Sequence, residues 1–202
     1  FGHEKQSGGI GGLTETIGAN VSRTLRAKKG KMNKYFVIGD IHGCIIQLNE
    51  ILEIKKKYPE HKLVFLGDYI DRGPASDSVC RKISSLGAVC LAGNHETMLI
   101  SRIKRHPEQK EQTLMQAVMS EISLSWIANK LDYIFEDEDF IFVHAGLDIN
   151  KSMSEQTEQD YLWTMYDGDY YQLTNKTISH GHVVVQDPVC VGNRININTG
   201  CG

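Results

Sequence analysis

The chain has 202 residues, 41% apolar and 23% charged, with a formal net charge of −3. That is enough for one domain with a sizeable core, and the charge balance argues against a nucleic-acid partner. No apolar run approaches the roughly 18 residues of a membrane span.

Residues 1–34 stand apart from the rest. Gly2, Gly8, Gly9, Gly11, Gly12 and Gly18 precede a basic stretch with no acid from Val21 to Lys34. The composition reads as a leader or tag. It has no apolar segment of the kind a secretory signal carries, and Met32 looks like a natural start. Tyr35–Gly39 is a continuous apolar run with β-branched and aromatic members, which predicts a buried strand. Helical spacing follows from Cys44 to Lys57, stopped by Pro59. Residues 63–66 predict the next strand. Val79, Ile83 and Leu86 mark one face of a short helix ended by Gly87, and residues 88–92 predict a third strand. Residues 96–130 read as mostly helical with a break at Pro107.

Strand, loop and helix repeated three times predicts parallel β-α-β units. Beyond them, 132–135 and 139–143 read as two strands around the acidic turn Glu136-Asp-Glu138. Residues 147–176 predict loops and short helices anchored by Leu162-Trp163, and 177–185 and 194–198 predict two further strands. The five cysteines, Cys44, Cys80, Cys90, Cys190 and Cys201, are odd in number and include no Cys-x-x-Cys pair. This predicts reduced thiols in a cytoplasmic protein. Cys44 reads as a small buried residue, since no basic group activates it.

Five short runs sit at the ends of these strands: Gly39-Asp-Ile-His-Gly43, Gly67-Asp-Tyr-Ile-Asp-Arg-Gly73, Gly93-Asn-His-Glu96, Val143-His-Ala-Gly146 and His180-Gly-His182. Singly each is weak, because Gly-Asp after a strand is usually a turn. Jointly they place Asp40, His42, Asp68, Asn94, His95 and His144 on one rim, where parallel sheets form their sites. Carboxylate, carboxamide and imidazole donors suit a pair of divalent ions such as Mn²⁺, with iron or Zn²⁺ as alternatives. Two such ions need a shared ligand, and Asp68 is the natural bridge. His95 adjoins a ligand and is a candidate general acid. Asp71 could hold and charge its imidazole, and Arg72 offers a planar fork for phosphate oxygens. Glu96 is expected to open the following helix, where an acid is favoured.

These runs resemble the phosphoprotein phosphatase superfamily of binuclear metallophosphoesterases, in particular its bacterial and phage branch, similar to lambda phosphatase. The resemblance covers Tyr35 to Cys201. It implies an α/β fold in four αββα layers, a central β-sandwich flanked by helices, with residues 35–202 as a calcineurin-like metallophosphoesterase domain. It implies one metal on Asp40, His42 and Asp68, and a second on Asp68, Asn94, His144 and His182. His180 is the rival to His182 from spacing alone. It also implies a hydroxide activated by two metals, with His95, paired to Asp71, protonating the leaving group, and with Arg72 and Asn94 meeting the phosphate.

The sequence departs from the pattern twice. The branch usually carries Leu-Trp-x-Arg where this chain has Leu162-Trp-Thr-Met165, and Met165 cannot contact phosphate as arginine does. Relatives also continue past a strand like Ile195–Cys201 into Gly-Gly-x-Leu-Thr, and a similar Gly11-Gly-Leu-Thr14 appears near the start here. Residues 10–17 are therefore expected either to be that strand, displaced by circular permutation, or to belong to the leader. The expected activity is metal-dependent phosphomonoester hydrolysis of the Ser/Thr protein-phosphatase type, on phosphoserine or phosphothreonine in a phosphorylated protein or on a similar small phosphoester. The alternatives are dinucleoside polyphosphate hydrolysis and a weakly active phosphate-binding module.

Overall fold

Residue alternation along the strands explains the layering. In β1 (Tyr35–Ile38), Phe36 and Ile38 face one way while Tyr35 and Val37 face the other. β2 (Lys62–Phe65) repeats this, with Leu63 and Phe65 on the first face and Val64, followed by Leu66, on the second. The period of two is that of a pleated strand. The three strands β1, β2 and β3 (Val89–Cys90) form a parallel sheet in that order, registered Tyr35↔Lys62 and Val64↔Val89.

The computed structural model describes residues 33–201. Residues 1–32 of the leader lie outside them, and with them the 10–17 segment expected to be either a displaced strand or part of that leader. The first face of the parallel sheet is covered by α1 (Ile45–Lys55), α2 (Ser76–Ser84), α3 (Asn94–Arg105), α4 (Lys110–Gln116) and α5 (Glu121–Lys130). Its second face packs on a five-stranded mixed sheet of β4 (Ile134–Glu136), β5 (Phe140–Val143), β6 (Thr177–His180), β7 (Val189–Val191) and β8 (Arg194–Asn196), in the order β4-β5-β6-β8-β7. Phe140 and Phe142 of β5 point into the sandwich, where Tyr35 meets both rings edge-on. Ile141 and Val143 point outward onto Leu147 and Tyr170. There a loop-rich segment with the short α6 (Glu158–Trp163) makes the fourth layer. Among the described residues no helix is long and apolar enough to cross a membrane, and all five cysteines are free.

Several expected elements differ in extent. The strand expected at 177–185 ends at His180, because His182 takes a left-handed φ of 64° and its amide turns back to Asp40. The 88–92 strand pairs regularly only at Val89 and Cys90. Leu91 instead bridges to Asp132, so the expected 132–135 strand starts later, at Ile134. The 96–130 helix breaks at Pro107 and again at Val118, which has positive φ. β7 was not expected. It forms a hairpin with β8 through Gly192, at φ 56°.

Candidate metal centre

The loops after β1, β2 and β3 are stitched together by backbone. The amides of Ile41 and His42 both donate to the Asp68 carbonyl, at 2.9 and 2.8 Å, and Gly43 N donates to Tyr69 O at 2.8 Å. A Cβ on Gly93 would overlap Asp68 Oδ1, and Gly67 has φ 105° with Gly93 N only 2.5 Å from its own ideal Cβ. The two glycines permit a backbone approach that no side chain would. Five of the six described non-glycine residues with positive φ are His42, Asp68, Asp71, Arg72 and His182. Such conformations are strained and cluster at functional sites.

Glu96 holds this arrangement from beneath. Its Oε2 accepts from Asp68 N at 2.9 Å and Gly93 N at 2.8 Å, and its Oε1 accepts from Tyr69 N at 2.8 Å and Ile70 N at 3.3 Å. Burial and then the Asp68 charge push its carboxyl up, while the backbone donors pull the other way. Expected only as a helix opener, it is also the clamp of two loops. Its spacing three residues after Gly93 was the visible signal.

Asp68 Oδ2 is the centre of the rim. It lies 3.6 Å from His42 Nε2 and 3.6 Å from His144 Nε2. The His42 nitrogen is also 4.0 Å from Asp40 Oδ2. Asp68 belongs to two clusters able to hold a metal ion, one with His42 and His95, the other with His144 and His182. Asp40 and Asn94 join through His42 and His144 respectively. Asn198 was not anticipated; its Nδ2 donates to Asp40 Oδ2 at 2.7 Å, and His182 N donates to Oδ1 at 3.1 Å.

Hydrogen bonding tests whether cations fit. His42 Nδ1 faces the Ile70 carbonyl at 2.8 Å, and His144 Nδ1 faces the Leu66 carbonyl at 2.9 Å. Each contact requires the proton on Nδ1, so each Nε2 presents a lone pair. Those lone pairs point at oxygens: His42 Nε2 has no hydrogen-bond partner among the described residues, and His144 Nε2 sits 3.0 Å from Asn94 Oδ1. Burial holds both imidazoles neutral, down to about 4. Burial, and then Asp40, push Asp68 up to about 7. Acceptors converging without a proton between them fit divalent cations, and nitrogen with oxygen donors suits several first-row metals.

His95 stands at the edge of this cluster, with Nδ1 2.6 Å from Asp71 Oδ2 and Nε2 turned toward Asp68 at 4.0 Å. The hydrogen bond to Asp71 raises its pKa against the effect of burial. Arg72 is exposed beside it. His180 is brought near but turned away, with Nδ1 on the Gly181 carbonyl at 3.1 Å and Nε2 accepting from Arg194 at 3.1 Å. Both nitrogens are engaged, so the geometry favours His182 over its rival. Met165 is 77% exposed on the strap following α6.

The sandwich and its donor-rich rim define a metallohydrolase-type α/β protein. A family model described as calcineurin-like phosphoesterase matches residues 34–194, and the chain belongs to that family. It is similar to the asymmetrical bis(5'-nucleosyl)-tetraphosphatase PrpE of Bacillus velezensis, 30% identical over 83% of this chain and 84% of that protein. It is also similar to a symmetrical bis(5'-nucleosyl)-tetraphosphatase of a Janthinobacterium species, 33% identical over 55% of this chain and 43% of the relative. The chain thus matches less than half the length of that curated relative. In fold it resembles a crystal structure described provisionally as a diadenosine tetraphosphatase, with a TM-score of 0.67 at 22% identity over 82% of each chain.

Proposed function

We propose that the protein is a metal-dependent hydrolase of dinucleoside polyphosphates. The sequence alone placed phosphomonoesters first. The match to the PrpE tetraphosphatase over most of both chains supports the dinucleotide reading instead. Met165 in the strap agrees with that order, since a monoester bound mainly through its phosphate loses most when an arginine is missing.

In this reading Asp40, His42 and Asp68 hold one ion, and Asp68, Asn94, His144 and His182 hold the other. Mn²⁺ is the metal we favour. Two such ions supply a hydroxide near neutral pH and neutralise phosphoryl charge. His95 carries the proton for the leaving oxygen on Nε2. Its Nδ1–H is fixed on Asp71 at 2.6 Å, which aims the ring and stabilises the protonated form. Arg72, exposed and beside His95, meets a non-bridging phosphate oxygen with its planar fork. Asn94 contributes a donor or ligand without adding negative charge near an anionic substrate.

The test gives the Mn²⁺-loaded protein diadenosine tetraphosphate, a phosphopeptide and p-nitrophenyl phosphate. The expected result is the highest kcat/KM on the dinucleotide. Preference for the phosphopeptide would reject the substrate assignment, and hydrolysis of none with metal bound would reject the enzyme. His95→Asn is expected to lower kcat by about 10²–10⁴-fold with two ions still bound. Loss of metal in that variant would make His95 a ligand instead.

A further inference from the structure

Beside the His95–Asp71 pair lies a small cavity of about 190 Å³, walled by Asp71, by Leu99 and Arg102 of α3, and by Thr113 and Gln116 of α4. It is smaller than the roughly 300–1,000 Å³ of a whole small-molecule site, so it takes one group of a ligand and not a nucleoside. Asp71 joins it to the rim, since its Oδ2 is 2.6 Å from His95 Nδ1. The helix puts the opposite wall in line. Leu99 and Arg102 follow His95 by four and seven residues, about one and two turns, so all three share one face of α3. Arg102 stands roughly 10 Å further along the axis at 1.5 Å per residue. Its side chain leans toward the helix N-terminus, and hence toward His95.

Arg102 is the cation of this cavity. It is exposed, and among the described residues it is in no ion pair, unlike Lys56, Arg81, Lys110, Lys151 and Lys176. Its Nη2 donates to Gln116 Oε1 at 2.9 Å, which fixes one edge of the guanidinium against α4. The carboxamide of Gln116 brings an NH₂ donor of its own. Asp71 is the acid on the wall, but its Oδ2 already receives the His95 Nδ1–H, and exposed Arg72 follows it in the chain. An anion therefore rests at the Arg102 end. Guanidinium and carboxamide donors suit phosphate oxygens.

We propose that this cavity receives a phosphate of the leaving polyphosphate chain, beyond the scissile bond, and that Arg102 sets a preference for polyphosphates over monoesters. Order along the substrate then matches order in the protein: scissile phosphate on the metal rim, leaving oxygen at His95, outer phosphate at Arg102. The inference rests on the dinucleotide reading above, since the leaving group of a monoester carries no phosphate.

Binding is measured apart from turnover. Inorganic tripolyphosphate and orthophosphate are titrated calorimetrically into the Mn²⁺-loaded protein, each at the same free Mn²⁺. Tripolyphosphate is expected to bind at least tenfold more tightly. Arg102→Gln should abolish that advantage, and Arg102→Lys, which keeps the charge without the planar fork, should restore part of it. In parallel, the ratio of kcat/KM for diadenosine tetraphosphate over p-nitrophenyl phosphate should fall at least tenfold in Arg102→Gln. No advantage for tripolyphosphate, or one unchanged in Arg102→Gln, overturns the cavity. An unchanged ratio with the dinucleotide still cleaved also overturns it and leaves the activity standing. An advantage that Arg102→Gln removes, in a protein that cleaves no dinucleotide, keeps the cavity and rejects the activity.

Discussion

At the scale of single residues, the pairing of His95 with Asp71 makes the pH dependence specific. A general acid must hold its proton, and an imidazole holds it below its pKa. The Asp71 hydrogen bond raises that pKa above the ordinary 6.5, so it extends the active window upward in pH. Asp71→Asn removes the carboxylate's share. The alkaline limb of kcat is then expected to move to lower pH, in a profile measured at saturating dinucleotide. A limb that stays in place would mean Asp71 only packs against the ring. Glu96 gives a second test at the same scale. Its two oxygens accept four backbone N–H groups, and glutamine has one acceptor oxygen and an NH₂ that faces donors. Glu96→Gln should therefore cost about 2–4 kcal/mol in urea unfolding, from one or two buried amides left without partners. The carboxylate donors of the rim were legible in the sequence because each follows a short apolar strand. Glu96 and Asn198 were not recognised, because what they do depends on which backbone another loop brings to them.

At the scale of elements, the helical layer depends on a polar knot that periodicity does not reveal. Asp77 in the first turn of α2 accepts from Ser120 N at 2.9 Å and Ser123 Oγ at 2.6 Å, tying α2 to the start of α5, and from Arg81 Nε at 2.6 Å. Burial raises its pKa, but the hydrogen bonds from Ser120, Ser123 and Arg81 outweigh it and hold the carboxyl well below the usual range. A depressed folded value stabilises above the unfolded pKa and loses that effect as pH falls toward the folded one. Asp77→Ala should thus cost about 1–2 kcal/mol at pH 7. The gap between wild type and variant should close as denaturation midpoints are measured from pH 5 downward, below the unfolded pKa of about 3.9. A gap constant with pH would assign the loss to packing. The same blindness to polar ties explains why 147–176 could not be read in detail. Tyr170 is fully buried there because its N donates to Asn193 Oδ1 at 2.8 Å and its hydroxyl accepts from Leu147 N at 3.2 Å. By contrast β1, β2 and β5 announce themselves, since both of their faces are buried and their sequences are continuously apolar.

At the scale of the whole molecule, the two sheets meet at a rim that concentrates like charge and backbone strain. The His144 imidazole joins them, running from the end of β5 to the Leu66 carbonyl after β2. Yet Asp40 lies close to Asp68 in the same place, and burial with that repulsion disfavours the ionised form of Asp68. Cations that bind only the folded rim should stabilise it by mass action, by about 2.7 kcal/mol at one hundred times Kd. For a domain of this size that is roughly 5–11 °C in Tm. Asp68→Asn removes the central negative charge while nearly keeping the shape. Without metal, the variant is expected to melt above wild type, because a repulsive buried carboxylate is gone. With Mn²⁺ the order should reverse, since only wild type retains the shared ligand of both clusters. Calorimetry in chelator and in Mn²⁺ reads both arms. Equal melting of the two proteins in chelator would show that the rim is already relaxed without cations, and the strain at His42, Asp68 and His182 would then have to be balanced by the Glu96 clamp and the backbone ties between the loops.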